Sequence, residues 1–178
     1  AKGRRPLPDP SWNQGEGEYP SQPDEVDTLS YGSSYNQLNQ IGVVAAHNAG
    51  YTGLGVVVGM LDTGWFRTHQ ALVNQPVIAW YDFINNDTTV VQQPGDPPGQ
   101  SDHGTYTFST LGGAYAGSLY GPAYGAQFIL GKTENVASET PIEEDFYVAG
   151  LEWEDSLGAE VISTSLGYLD WYTWPQMN

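Results

Sequence analysis

The run Val56-Val57-Val58-Gly59-Met60-Leu61 contains no polar residue and no alternation. A strand with one wet face alternates apolar and polar side chains, so this run predicts a strand covered on both faces, as in a parallel sheet between helices. Val77-Ile78-Ala79-Trp80-Tyr81, Phe128-Ile129-Leu130 and the stretch 160–165 read the same way. The best-marked helix falls between the last two. Thr140 stands at its N-cap, Pro141 at the first helical position and Glu143 two residues on, a capping box with its proline. Phe146, Ala149, Trp153 and Leu157 then share a face, and Gly158 is placed to end the helix. A helix over 141–157 between two buried strands is a βαβ unit with a right-handed crossover. The spacing of Leu38, Ile41, Val44 and Ala45 predicts an earlier helix that stops at Gly50. The fold class is therefore α/β, with a mainly parallel sheet.

The charge balance removes several functions. Twenty-one acidic residues face five basic ones, a formal net charge of -16, and beyond Arg5 only Arg67 and Lys132 are basic. Nucleic acid and anionic membrane surfaces are excluded as partners, because both are held by clustered Lys and Arg. No run reaches the length of a membrane-spanning helix, so no membrane partner is expected. With 39% hydrophobic and 13% aromatic residues, the composition is that of a folded chain. There is no cysteine, which rules out disulfides, thiolate metal sites and cysteine nucleophiles together. Residues 1–30 hold five prolines and little apolar periodicity, which places an extended arm over 1–33 and the body over 34–178.

In open parallel sheets, ligands bind beyond the carboxyl ends of the strands. Asp62 follows the first apolar run directly, and Ser101-Asp102-His103-Gly104-Thr105 opens a helix whose Phe108 and Leu111 face the core. A histidine at such a helix start points into a cleft, whereas His47 and His69 read as structural. An aspartate can fix the tautomer of a histidine whose other nitrogen takes a proton from a nucleophile. Ser163-Thr164-Ser165-Leu166-Gly167-Tyr168 ends the last strand as an edge to which an extended peptide can add.

Together these segments resemble the subtilisin-like serine peptidases, the subtilases. Ala46-His47-Asn48-Ala49-Gly50-Tyr51-Thr52-Gly53 is similar to the family's helix and turn before its aspartate. Val57-Val58-Gly59-Met60-Leu61-Asp62-Thr63-Gly64 resembles the aspartate motif, and the segment 101–105 the histidine motif. Ser165-Leu166-Gly167 resembles the wall of the first specificity pocket, and Gly121-Pro122-Ala123-Tyr124-Gly125-Ala126 with Lys132 fits the stretch between. The likeness covers Ser34 to Tyr168. It implies a three-layer subtilisin-like fold, with Asp62 and His103 as catalytic residues and Ser165, Leu166 and Gly167 as substrate-binding residues. The implied activity is endopeptidase hydrolysis of a polypeptide substrate, in a secreted protein; Ala1 in place of Met fits a processed start.

The family's nucleophilic serine and oxyanion asparagine lie after the Ser-Leu-Gly segment, and their motifs are not in this sequence. Ser163 and Ser165 match neither, nor does Asn178. The expected partner is a C-terminal segment of the same peptidase, present as a second chain that continues from a nick near Asn178. No metal or cofactor is expected for catalysis. The usual structural calcium ligands are missing, with Ala71 where the family has an acid and no Asp or Asn over 114–120. Asp82, Asp87 and Asp96 are the alternative oxygen ligands for such an ion. Glu134, Glu139, Glu143 and Glu144 line the expected groove edge and, if they face it, favour basic side chains upstream of the cleaved bond. Two other readings remain. Asp62-Thr63-Gly64 with Ile129-Leu130-Gly131 also fits an aspartic peptidase, working as a dimer that pairs two Asp62 carboxylates. The other is an inactive binding module of subtilase fold.

Overall fold

The computed structural model describes residue 27, residues 29–169 and residues 171–173. Of the arm read over 1–33, residues 1–26 and 28 lie outside the described residues, as do 170 and 174–178 at the other end.

The first apolar run forms β1 (Val57–Asp62). It lies at the centre of a four-stranded parallel sheet with β2 (Val77–Asp82), β5 (Gln127–Lys132) and β6 (Val161–Thr164), in the order β2-β5-β1-β6. Between β2 and β5 come helix α3 (Asp102–Gly112) and a hairpin of β3 (Ala114–Tyr115) and β4 (Leu119–Tyr120). Helix α4 (Ile142–Ser156) joins β5 to β6. Side chains alternate across a sheet, so the two central strands face both ways. Val58, Met60, Phe128 and Leu130 point to one side and pack with Phe108 of α3, whose ring centre is 4.6 Å from that of Phe128. Gly59, Leu61 and Gly131 point to the other, under α4. Fully burying each of these large side chains contributes roughly 1.5–3 kcal/mol.

The outer strands differ from the expectation of burial on both faces. In β2, Ile78 is 48% and Trp80 37% exposed, and in β6 Val161 is 55% exposed. Both are sheet edges, so an apolar run marked a strand without fixing its cover. The early helix also departs from its single-helix reading. It is two, α1 (Tyr35–Gln40) and α2 (Val43–Asn48), because Gly42 takes a left-handed φ of 77° between them. Ile41 is turned out, while Leu38 and Val44 are buried around Tyr31. His47 is structural, as expected. Its Nε2 donates to the Pro122 carbonyl at 3.0 Å, which leaves Nδ1 to accept from the Tyr31 hydroxyl at 2.8 Å.

Helix α4 buries a different stripe from the apolar one. Glu143, Gly150 and Glu154 are its buried residues, Phe146 and Trp153 are half-buried, and Ala149 and Leu157 are exposed. Close approach to the sheet dictates the register: a Cβ on Gly150 would stand 2.8 Å from the Leu61 side chain. The capping box is half formed. Glu143 accepts the Thr140 amide at 3.1 Å and the Ser138 hydroxyl at 2.9 Å, whereas no side chain caps the helix in return.

Candidate active site

Asp62 ends β1 on the α3 side of the sheet and is 1% exposed. Its Oδ1 accepts from the Thr63 amide at 2.6 Å and lies 2.8 Å from His103 Nδ1; its Oδ2 accepts from the Thr107 hydroxyl at 2.9 Å. A buried carboxylate is stable only with such partners. Its acceptance fixes the proton on His103 Nδ1 and leaves Nε2 unprotonated, and the His103 side chain is 47% exposed. The structure thus brings together the two candidates read from separate motifs. Thr107 was missed; its spacing four residues after His103, on the same helix face, was the available signal.

The turn before α3 is held as firmly. Gln100, 1% exposed, donates both protons of its amide, to the Thr63 carbonyl at 2.7 Å and to that of Glu134 at 2.6 Å, and its oxygen accepts the Val136 amide at 3.2 Å. One side chain therefore joins the aspartate turn, the histidine turn and the segment after β5. Gly104 has the same role by omission: a Cβ there would come 2.2 Å from the Gly64 carbonyl oxygen.

Ser165 lines an open pocket of about 380 Å³ with His103, Thr107, Leu111, Pro122 and Ser163. Leu166 and Gly167 follow it outside any helix or strand, half-buried and exposed respectively, and Gly167 has nothing near the place a Cβ would occupy. Among the described residues, no strand pairs with the outer edge of β6.

The four acids of the groove edge do not all meet the condition of facing it. Glu134 and Glu143 are buried, and Glu144 accepts the Tyr172 hydroxyl at 2.7 Å, so among the four only Glu139 is both exposed and without such a bond. Burial pushes the Glu134 carboxyl up to about 7; a hydrogen bond from Tyr168, 3.0 Å away, opposes this, and the charges of Glu143 and Glu139 add to it. One oxygen from each of Glu134, Glu139 and Glu143 lies within 4.8 Å of the others.

The alternative calcium ligands are also engaged. The Lys132 ammonium, fully buried, sits 2.8 Å from Asp82 and 2.6 Å from Asp96. Asp82 also accepts the amides of Ile84 and Asn85, and Gln93 bridges it to Asp87. The Lys132 ammonium is thus the cationic partner of Asp82 and Asp96. The aspartic dyad fails on geometry: with both Asp62 oxygens bonded and the side chain buried, a second Asp62 cannot reach it.

No family model matches the chain. It is 35% identical over 139 residues to the minor extracellular protease Vpr of Bacillus subtilis (strain 168), an alignment covering 71% of this chain and 16% of that protein. It is 30% identical over 146 residues to the alkaline protease of Alkalihalobacillus alcalophilus, covering 80% and 34%, and 30% identical over 133 residues to subtilisin Savinase of Lederbergia lenta, covering 73% and 44%. The crystal structure of MycP1 with the N-terminal propeptide removed superposes with a TM-score of 0.54 at 22% identity, over 71% of this chain and 36% of that one. The chain is subtilisin-like in sequence and fold. Its named relatives are proteases, and the subtilisin-like chain spans less than half the length of each curated one. Among the described residues, no helix is long and apolar enough to cross a membrane.

Proposed function

We propose that this chain is the part of a secreted serine endopeptidase that supplies Asp62 and His103, completed by a C-terminal segment of the same peptidase that supplies the serine. The observation that carries this reading is the 2.8 Å contact between buried Asp62 and half-exposed His103 at the carboxyl end of a central parallel strand. In the completed site, His103 Nε2 takes the proton from the serine hydroxyl as its oxygen attacks the scissile carbonyl. The same proton passes to the departing amine, leaving an acyl-enzyme that water then hydrolyses with His103 again as base. Asp62 stays ionised throughout and stabilises the imidazolium. The Ser165-Leu166-Gly167 edge aligns the substrate strand through its backbone. No metal or cofactor enters these steps.

The test is labelling of the purified assembly with a serine-directed phosphonate, beside an otherwise identical His103→Ala protein. Label on a polypeptide that continues or accompanies this chain, lost in the variant together with peptidase activity, supports the proposal. An assembly that folds, takes no label and cleaves no peptide would show a subtilase-fold binding module instead.

A further inference from the structure

Of the two basic side chains among the described residues, Lys132 is locked between two aspartates and Arg67 is not paired at all. No carboxylate among the described residues lies within ion-pairing distance of Arg67, although the chain carries 21 acidic side chains. Asp87, the acid on the adjoining loop, is turned elsewhere: its oxygens accept from the Thr89 amide at 2.6 Å and from Gln93 at 3.2 Å. The Arg67 guanidinium carbon instead lies over the Trp80 ring, 3.7 Å from its centre, and Nε is shielded from water without a hydrogen-bond partner among the described residues. Stacking of this kind fixes the plane of the fork while leaving its outer N–H groups free. Burial lowers the proton affinity of the group, the cost of holding a cation partly out of water with no counter-charge. Beside it is an open cavity of about 340 Å³, walled by Trp65, Phe66, Trp80 and Val91, with Thr68 and Thr88 as hydroxyl neighbours.

We propose that this cavity binds the carboxylate of an acidic peptide side chain, with Arg67 as its bidentate anchor and the aromatic wall covering the methylenes that carry the carboxylate. A planar guanidinium matches a carboxylate edge to edge, and an apolar wall around it raises the worth of that contact by excluding water. The wall also argues for a carboxylate on a hydrocarbon stem over a fully hydrated inorganic anion. The cavity is fastened to the catalytic helix, since the Phe66 amide donates to Thr105 Oγ1 at 2.8 Å, two residues past His103. The site is read by binding alone, so its test is separate from that of the peptidase reading.

The isotope-labelled full chain is titrated with acetyl-Ala-Glu-Ala-amide and acetyl-Ala-Gln-Ala-amide, and with inorganic phosphate, following the Arg67 Nε–H resonance. The glutamate peptide should shift it saturably and bind roughly tenfold or more tighter than the glutamine peptide, the usual worth of a charge-assisted bond. Arg67→Gln should abolish the saturable shift seen at neighbouring Trp80, Arg67→Lys should weaken it while keeping the charge, and Trp80→Leu should weaken the shift at Arg67 Nε–H by freeing the guanidinium. Circular dichroism checks that each variant is folded. Equal affinity for the two peptides, or glutamate binding unchanged by Arg67→Lys, overturns the proposal. So does phosphate binding as tightly as the glutamate peptide, which would make the site one for anions in general.

Discussion

Glu154 should make the folded chain less stable as pH rises across the neutral range, and Glu154→Gln should remove that loss. The side chain is fully buried on α4, over Gly59 of β1, and neither carboxylate oxygen has a hydrogen-bond partner of good geometry. Burial pushes its pKa from 4.5 to about 8, with the Met60 backbone amide offsetting this only in part. The unfolded chain ionises Glu154 near its ordinary value while the folded chain keeps the proton. Stability is therefore full below about pH 4.5, falls by roughly 1.4 kcal/mol per pH unit above it, and levels off past about pH 8. At neutral pH the accumulated loss is about 3 kcal/mol, a large share of the stability of an ordinary domain. Glutamine has the same shape and does not titrate. Urea unfolding of both proteins from about pH 4.5 to about pH 8 should give curves that coincide at the acid end and separate steadily, the variant being the more stable. The comparison cancels other titrating groups such as Glu134, which both proteins share. Parallel curves across that range would refute the argument, since they would mean that the Glu154 carboxylate keeps its charge when folded.

Other substitutions test neighbouring features. A Cβ on Gly59 would stand 2.2 Å from Glu154 Oε2, so Gly59→Ala should destabilise by about 1–3 kcal/mol, and Glu154→Ala in the same chain should recover part of that in a double-mutant unfolding cycle. Lys132→Met strips the ammonium from Asp82 and Asp96 and should cost about 3–5 kcal/mol in urea unfolding; adding Asp82→Asn and Asp96→Asn should shrink the loss. In the completed peptidase, Asp62→Asn should lower kcat about 10⁴-fold with KM little changed, by setting the wrong His103 tautomer. Thr107→Val, which removes one donor to Asp62, should lower kcat on the order of tenfold in the same steady-state assay.

The sequence announced β1 and β5 well because unbroken apolar runs occur where both faces of a strand are covered. The same signal over-read β2 and β6: Trp80 and Val161 are apolar yet sit on edge strands, and composition does not number the strands of a sheet. Helix α4 was found from its proline and glutamate, but its inward face was misjudged because the contact is made by Gly150, Glu143 and Glu154. Glycine carries no hydropathy signal and glutamate the opposite one. Asp62 and His103 were legible only as motifs, each ambiguous alone. The Lys132 knot was not legible, since it depends on Asp82 and Lys132 falling opposite each other across two parallel strands, a register that no local pattern states.

The strand order also bears on how the chain comes off the ribosome. β1 is made before either neighbour: on one edge Val57 and Val58 pair with Gln127 and Phe128, and on the other Val58 pairs with Val161. Among the described strands, β1 has no neighbour until β5 is synthesised, and one edge stays open until β6 follows. Long-range parallel pairing of this kind is slow, and an unpaired apolar strand is a template for aggregation. The position at the sheet centre that shelters Asp62 in the finished molecule is the same one that leaves β1 waiting longest during synthesis.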